Sequence, residues 1–226
     1  MSPKWGSTAL WRNSGRLFRK GRSWLLRPKT LYMATHNAGK LREFEQLLKP
    51  LPLDLKPYAA NAEIVEETGT TYAENAALKA RAVALKWGVY ALGDDSGVEV
   101  DALNGEPGLR SARFVSDEPW ANSREILLRL MAVPYPQRTA RMRAVLCLAN
   151  PRGEVKFFEG VVEGFILGWP RGTQGFGVDP IFSLDGVTSL AEMSGEEKNR
   201  ISHRAKAAIG LMTYWKSRDS DALFSI

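Results

Sequence analysis

Gly93-Asp94-Asp95-Ser96-Gly97 sets two adjacent carboxylates and a hydroxyl directly after the apolar run Val89-Tyr90-Ala91-Leu92. Carboxylates at the end of a buried strand are costly unless their charge is compensated. A hard divalent cation that also binds a phosphate is one such compensation. Thr35-His36-Asn37-Ala38-Gly39-Lys40 has what a phosphate needs: a strand-to-helix turn with free backbone N–H groups, a glycine that permits close approach, and a lysine. Lys198 and Ser202-His203-Arg204 add donors from the far end of the chain. The chemistry these residues suggest is metal-assisted attack on a nucleotide.

Each signal has a plainer reading beside it. The Thr35–Lys40 turn is not a P-loop, because no glycine precedes it at the required spacing and Leu41 follows the lysine where a hydroxyl belongs. In Glu66-Glu67-Thr68-Gly69 either carboxylate suits a metal ion or the dipole of the following helix. Asn75 and Lys79, four apart, share a helical face close to Tyr72, where Lys79 reads equally well as a surface lysine. Gly175-Phe176-Gly177-Val178-Asp179-Pro180 offers either an aromatic that stacks on a base beside a carboxylate, or a tight turn with its ring in the core. Ser96 lacks the GxSxG setting of a nucleophile elbow. Two histidines and one cysteine argue against a structural zinc site.

The elements that position these residues follow from periodicity and breakers. Leu31–Thr35 reads as a first strand, and 38–49 as a helix with Leu41, Phe44 and Leu48 on one face, ended by Pro50-Leu51-Pro52. Residues 70–86 and 120–131 read as helices, 89–92 as a strand ending at the acidic cluster, and 98–100 as a short extended piece. Gly105–Gly108 is a loop by composition. Residues 141–149 and 155–168 read as long strands joined by a hairpin at Asn150-Pro151-Arg152-Gly153. Residues 196–215 form the last helical region, with Ser194 and Glu197 spaced for a capping box. This order predicts a mixed sheet with helices on its flanks.

The chain has 226 residues, 44% hydrophobic and 25% charged, which suits one α/β domain. No apolar run approaches a membrane span. Cys147 has no disulfide partner and reads as a buried thiol in a reducing compartment. The net charge of +6 belongs to residues 1–29, which hold eight Lys or Arg and no acid; the rest carries 23 basic and 25 acidic residues. We therefore divide the chain into a disordered basic extension, 1–29, and a single domain, 30–226. The arm's composition also fits an organellar transit peptide or a membrane-surface segment. Without a basic face on the domain, a stable nucleic-acid partner is not expected, although an RNA or nucleotide binder using the arm is the rival to an enzyme.

Seven segments, taken in order, resemble the Ham1/ITPase family of inosine/xanthosine triphosphate pyrophosphatases: Ala34–Lys40, Glu66–Gly69, Glu74-Asn75-Ala76 with Lys79-Ala80, Asp94–Gly97, Pro107-Gly108 with Ser111-Ala112-Arg113, Gly175–Gly177 with Asp179-Pro180, and Glu196–Lys198 with Ile201–Arg204. The resemblance covers Leu31 to Met212. It implies an α/β fold with an elongated, mixed central sheet, flanking helices in two lobes and an active-site cleft between them, as in Maf-like proteins. It also implies a cytoplasmic, homodimeric, Mg²⁺-dependent enzyme that cleaves dITP, ITP or XTP to the monophosphate and pyrophosphate, cleansing the nucleotide pool. By motif position Glu67 and Asp95 would hold the metal, and Asp95 would activate the water. Thr35, His36, Asn37, Ala38, Gly39, Lys40, Lys79 and Ser96 would hold the triphosphate. Phe176, Gly177, Val178, Asp179, Lys198, His203 and Arg204 would form the base pocket. Two positions depart from the family pattern: His36 stands where bacterial members usually carry glycine, and Val178 replaces a usual Tyr or Trp.

Overall fold

The computed structural model describes residues 29–58 and 65–217. The basic arm lies outside the described residues, except Lys29, which opens the first strand and so belongs to the domain.

The elements run β1 (Lys29–Met33), α1 (Ala38–Leu47), β2 (Leu53–Pro57), α2 (Tyr72–Trp87), β3 (Ala91–Val100), α3 (Pro119–Arg129), β4 (Thr139–Ala149), β5 (Val155–Ile166), β6 (Phe182–Ser183), α4 (Gly195–Ile201) and α5 (His203–Ser217). They form one six-stranded sheet in the order β2-β1-β3-β4-β5-β6. β1 is parallel to β2 and β3, and the remaining pairs are antiparallel. The mixed sheet is as expected. β1 begins and ends two residues earlier than its apolar run suggests, and β2 and β6, both at the sheet's edges, are additional to the expected strands.

Local chemistry sets the boundaries. Asn37 caps α1 by accepting from the Gly39 and Lys40 N–H groups. α2 starts at a capping box of Thr71 and Glu74 and stops at Gly88 in the left-handed region. The expected Ser194–Glu197 capping box opens α4. The last helical region is two helices, because Ser202 is extended (φ −67°, ψ 162°) and its hydroxyl accepts from Ala205 N–H to cap α5.

The acidic motif sits in a different setting from the one its composition suggests. Residues 91–100 form one continuous strand, so Asp94-Asp95-Ser96 lies mid-strand and not in a turn at a strand's end. Strand alternation then sends Leu92, Asp94, Ser96, Val98 and Val100 to one face and Gly93, Asp95 and Gly97 to the other. On the first face, Leu92 belongs to a core packed by α1 and α5, and Val98 and Val100 belong to a second core with Ile126, Met142, Ile166 and Phe182. Asp94 and Ser96 sit in the gap between those cores. This is the interlobe cleft.

A row of small side chains crosses the cleft floor: Ser96 pairs with Ala144, which pairs with Gly160. A Cβ at Gly160 would run into the His203 carbonyl and the Ala207 N. The glycine thus lets the start of α5 lie directly on the sheet. On the opposite face, a Cβ at Gly93 would meet the backbone of Ala76 and Ala80, so α2 packs directly on β3. Cys147 is buried as expected, and its thiol is pushed up to about 12 by burial.

Candidate active site

The two faces of β3 communicate around its edge. β1 pairs with β3 only at Tyr32↔Ala91 and Met33↔Leu92. Beyond Leu92 no described strand covers that side until Ser111 Oγ bonds Val98 N and Glu99 bridges to Pro107. The Thr35–Lys40 turn leaves β1 at this point and drapes over the open edge.

On the first face, Lys40 Nζ lies 2.6 Å from Asp94 Oδ2, and Arg204 Nε lies 3.6 Å from the same oxygen. Arg204 also donates to Ser96 Oγ at 2.6 Å and to Glu43 Oε2 at 3.1 Å. Lys198 Nζ bridges Glu43 and Asp179, both at 2.6 Å. The Phe176 ring is flanked by Lys198 Nζ at 5.0 Å and Arg204 Cζ at 5.1 Å from its centroid. A Cβ at Gly39 would stand 2.7 Å from Phe176 Cδ1. The missing side chain therefore brings the phosphate turn against the aromatic. Asp179 holds the Phe176 loop by accepting from its backbone N–H at 2.7 Å.

On the second face, Lys79 Nζ is shared between Glu67 Oε1 at 2.8 Å and Asp95 Oδ1 at 3.1 Å. Asn75 Nδ2 donates to Asp95 Oδ2 at 3.2 Å, and Arg113 pairs with Glu67. Glu67 thus serves an ion-pair cluster, while Glu74 takes the helix-capping role.

The electrostatics distinguish the adjacent aspartates. Burial would raise Asp94, but Lys40 and Arg204 pull it far below the ordinary carboxylate range. Burial raises Asp95 despite the opposing pull of Lys79 and Lys40. Burial lowers Lys40, assisted by the neighbouring Arg204 and Lys79 charges. Burial disfavours charge on Lys79 too, but Asp95 and Glu67 more than restore it. His203 is driven well below its usual value by burial beside Arg204.

This is a cleft of paired charges, with an aromatic wall at one end and two carboxylates converging on one cationic nitrogen at the other. The sequence matches the Ham1 family over residues 31–214. The chain belongs to the Ham1 family. Among its relatives, a dITP/XTP pyrophosphatase of Symbiobacterium thermophilum is 46% identical over 179 residues, covering 79% of this chain and 91% of that one. The dITP/XTP pyrophosphatase of Bacillus subtilis is 45% identical, covering 79% and 93%. The solved structure of a HAM1 protein from Coxiella burnetii superposes with a TM-score of 0.76 at 36% identity, covering 84% of this chain and all of that one.

In this Ham1 chain the structure gathers Asn37, Gly39, Lys40, Ser96, Phe176, Asp179, Lys198 and Arg204 along the first face, with buried His203 beside them at the start of α5. It gathers Glu67, Lys79 and Asp95 on the second. Thr35 accepts from Asn37 N–H within the turn, and Ala38 is the first residue of α1. Gly177 has φ +61°, its carbonyl accepts from Ser123 Oγ, and a Cβ there would meet nothing within 4 Å. Two residues turn away. The exposed His36 ring lies 6.2 Å from that of Tyr58 and bonds to none of the cleft residues. Val178 buries its side chain in the second core, so this position meets the cleft only through its backbone.

Sequence reasoning missed Glu43 as a site residue, and left Asp94, Asn75 and Arg113 without a role. Glu43 had one usable signal: it lies three residues after Lys40, on the same side of α1.

Among the described residues no group of three or more His, Cys, Asp and Glu side chains converges as a metal cage. Glu67 and Asp95 are two, and each gives an oxygen to one shared cation. Mg²⁺ takes one or two carboxylates and keeps several waters, so this donor set fits it.

Proposed function

We propose that this Ham1-family protein hydrolyses deaminated purine nucleoside triphosphates (dITP, ITP and XTP) to the monophosphate and pyrophosphate, with Mg²⁺ held by Glu67 and Asp95. One observation carries the reading: Arg204 touches Asp94 and Ser96 on one side and Phe176 on the other, so phosphate and base contacts share one residue. The names of the relatives point the same way.

In this reading the Thr35–Lys40 turn binds phosphate through the N–H groups at the start of α1, and Lys40 and Lys79 offset the charge of the departing pyrophosphate. Asp95, raised by burial, accepts the proton of the attacking water. When bound, Mg²⁺ supplies Lewis-acid polarisation of phosphate oxygens. Phe176 stacks on the purine, and Lys198 and Arg204 donate to a 6-oxo group. Adenine presents a donor at that position, which leaves a buried donor unpaired at a cost of about 1–3 kcal/mol each.

The test is pyrophosphate release from a panel of nucleoside triphosphates with and without Mg²⁺. The expected result is turnover of dITP and XTP far above ATP, GTP and modified pyrimidines, abolished by chelator. Absence of release from dITP and XTP, or equal release from ATP, would overturn the reading.

Homodimerisation and a cytoplasmic location belong to the same proposal. Exposed Trp120, Leu128 and Met131 on and just beyond α3 are compatible with a partner copy, and light scattering would report the mass. Among the described residues no helix is long and apolar enough to cross a membrane.

A further inference from the structure

Arg113 lies at the edge of the cleft on a segment that is fixed along its length. Ser111 Oγ accepts from Val98 N at 2.9 Å and donates to the Gly108 carbonyl at 2.6 Å, tying one end to the open edge of β3. Phe114 is buried in the second core, with Arg129 Cζ 4.4 Å from its ring centroid. Buried Asn122 donates to the Ala112 and Ser116 carbonyls and accepts from the Val115 and Ser116 N–H groups. These bonds anchor the backbone on both sides of Arg113 and leave its side chain projecting, 42% exposed.

That side chain pairs with Glu67, whose other oxygen is held by Lys79. The carboxylate that fits a divalent cation is therefore occupied by two basic side chains. A cation binding there must compete with both. An anchored loop that projects one arginine to the rim of a polyphosphate site is more than Glu67 needs as a brace, because Lys79 already holds that carboxylate.

We propose that Arg113 is a polyphosphate-binding residue that rests on Glu67 until a divalent cation takes that carboxylate, and then pairs with the phosphates. This inference rests on the metal-site reading above. The exchange makes cation and polyphosphate binding mutually reinforcing: the cation frees Arg113, and the phosphate accepts it. Arginine suits the role through its planar, multiply donating head.

The test measures Mn²⁺ binding to the nucleotide-free protein by calorimetry. It then measures binding of a non-hydrolysable α,β-methylene dITP analogue with saturating Mn²⁺, in the wild type, Arg113→Ala, Arg113→Lys and Glu67→Gln. Loss of a half-exposed ion pair should tighten Mn²⁺ binding to the free Arg113→Ala protein by about two- to fivefold. Loss of a charged phosphate contact should weaken the analogue by about tenfold or more, with Arg113→Lys intermediate. These opposite signs separate the proposal from a bracing role, which predicts weaker Mn²⁺ binding in Arg113→Ala. That result, or unchanged analogue affinity, would overturn it. Mn²⁺ binding that is absent from the wild type or indifferent to Glu67→Gln also overturns it, while dITP turnover measured separately would leave the substrate assignment standing.

Discussion

Asp94 and Asp95 are neighbours in the chain and face opposite sides of β3, Asp94 with Lys40 at 2.6 Å and Asp95 with Lys79 at 3.1 Å. Two carboxylates that look like a pair in the sequence therefore belong to different charge clusters. Because β1 stops at Met33↔Leu92, both clusters border the same open edge of the strand.

The Asp95→Asn variant is expected to lose about 10²–10⁴ in kcat, the range of a positioned proton acceptor. Substrate affinity should stay measurable, since Lys40 is held by Asp94 and keeps its place. Steady-state kinetics on dITP give the answer, and unchanged kcat would remove Asp95 from the base role.

Asp94→Ala should damage stability instead. It leaves Lys40 and Arg204 buried without their shared carboxylate, and breaking a buried ion pair costs about 3–5 kcal/mol. Urea unfolding measures this. Added pyrophosphate should recover part of the loss by supplying the missing negative charge, and a variant as stable as the wild type would refute the assignment.

The motifs were readable because each combines residue types that a solvent-facing turn or a plain core rarely needs together, as in Asp94-Asp95-Ser96 or Gly175-Phe176-Gly177. Their relation in space was not readable. Glycines at 93 and 97 flanking the aspartates look like turn residues, yet here they are close-approach positions inside a strand, where α2 and Gly108 press on the backbone. Glu43 was hidden because a lone glutamate on a helix is ordinary. Only the fold brings Lys198 and Arg204 to it across more than 150 residues. The motif places Val178 beside Phe176 but does not tell which way its side chain turns, and here it turns into the second core.

Glu43 leads to a third expectation. It is the only carboxylate that pairs with both Lys198 and Arg204 among the described residues. Glu43→Gln keeps the shape and removes the charge that orients both donors. KM for dITP should rise by about tenfold, the cost of one charge-assisted contact, and the preference for dITP over dATP should narrow. An unchanged preference would show that Glu43 acts on fold alone.

Gly160→Ala tests how the cleft is built. The added methyl group would collide with the backbone of His203 and Ala207, and backbone cannot step aside as a side-chain end can. Overpacking of this kind costs about 1–3 kcal/mol, and α5 should lift off the sheet, carrying Arg204 away from Ser96. The expected outcome is a lower Tm together with reduced kcat/KM. Full activity would mean that α5 tolerates displacement.

His203 gives the protein a pH dependence whose direction follows from its burial. The folded chain keeps this imidazole neutral well below its usual value, whereas the unfolded chain takes up a proton near pH 6.5. Between those two points the unfolded state binds more protons, so stability rises with pH. The contribution is complete above about pH 6.5 and is lost progressively as the pH falls toward the folded-state value. One such proton gives a slope of about 1.4 kcal/mol per pH unit. Chemical denaturation of the wild type and His203→Gln between pH 7 and pH 5 separates this contribution from those of buried Asp95 and Asp179, which are raised and act in the opposite sense. His203→Gln, which cannot take up that proton in either state, should flatten the curve by up to that amount. Parallel curves for the two proteins would place the protonated imidazole inside the fold and overturn the burial argument.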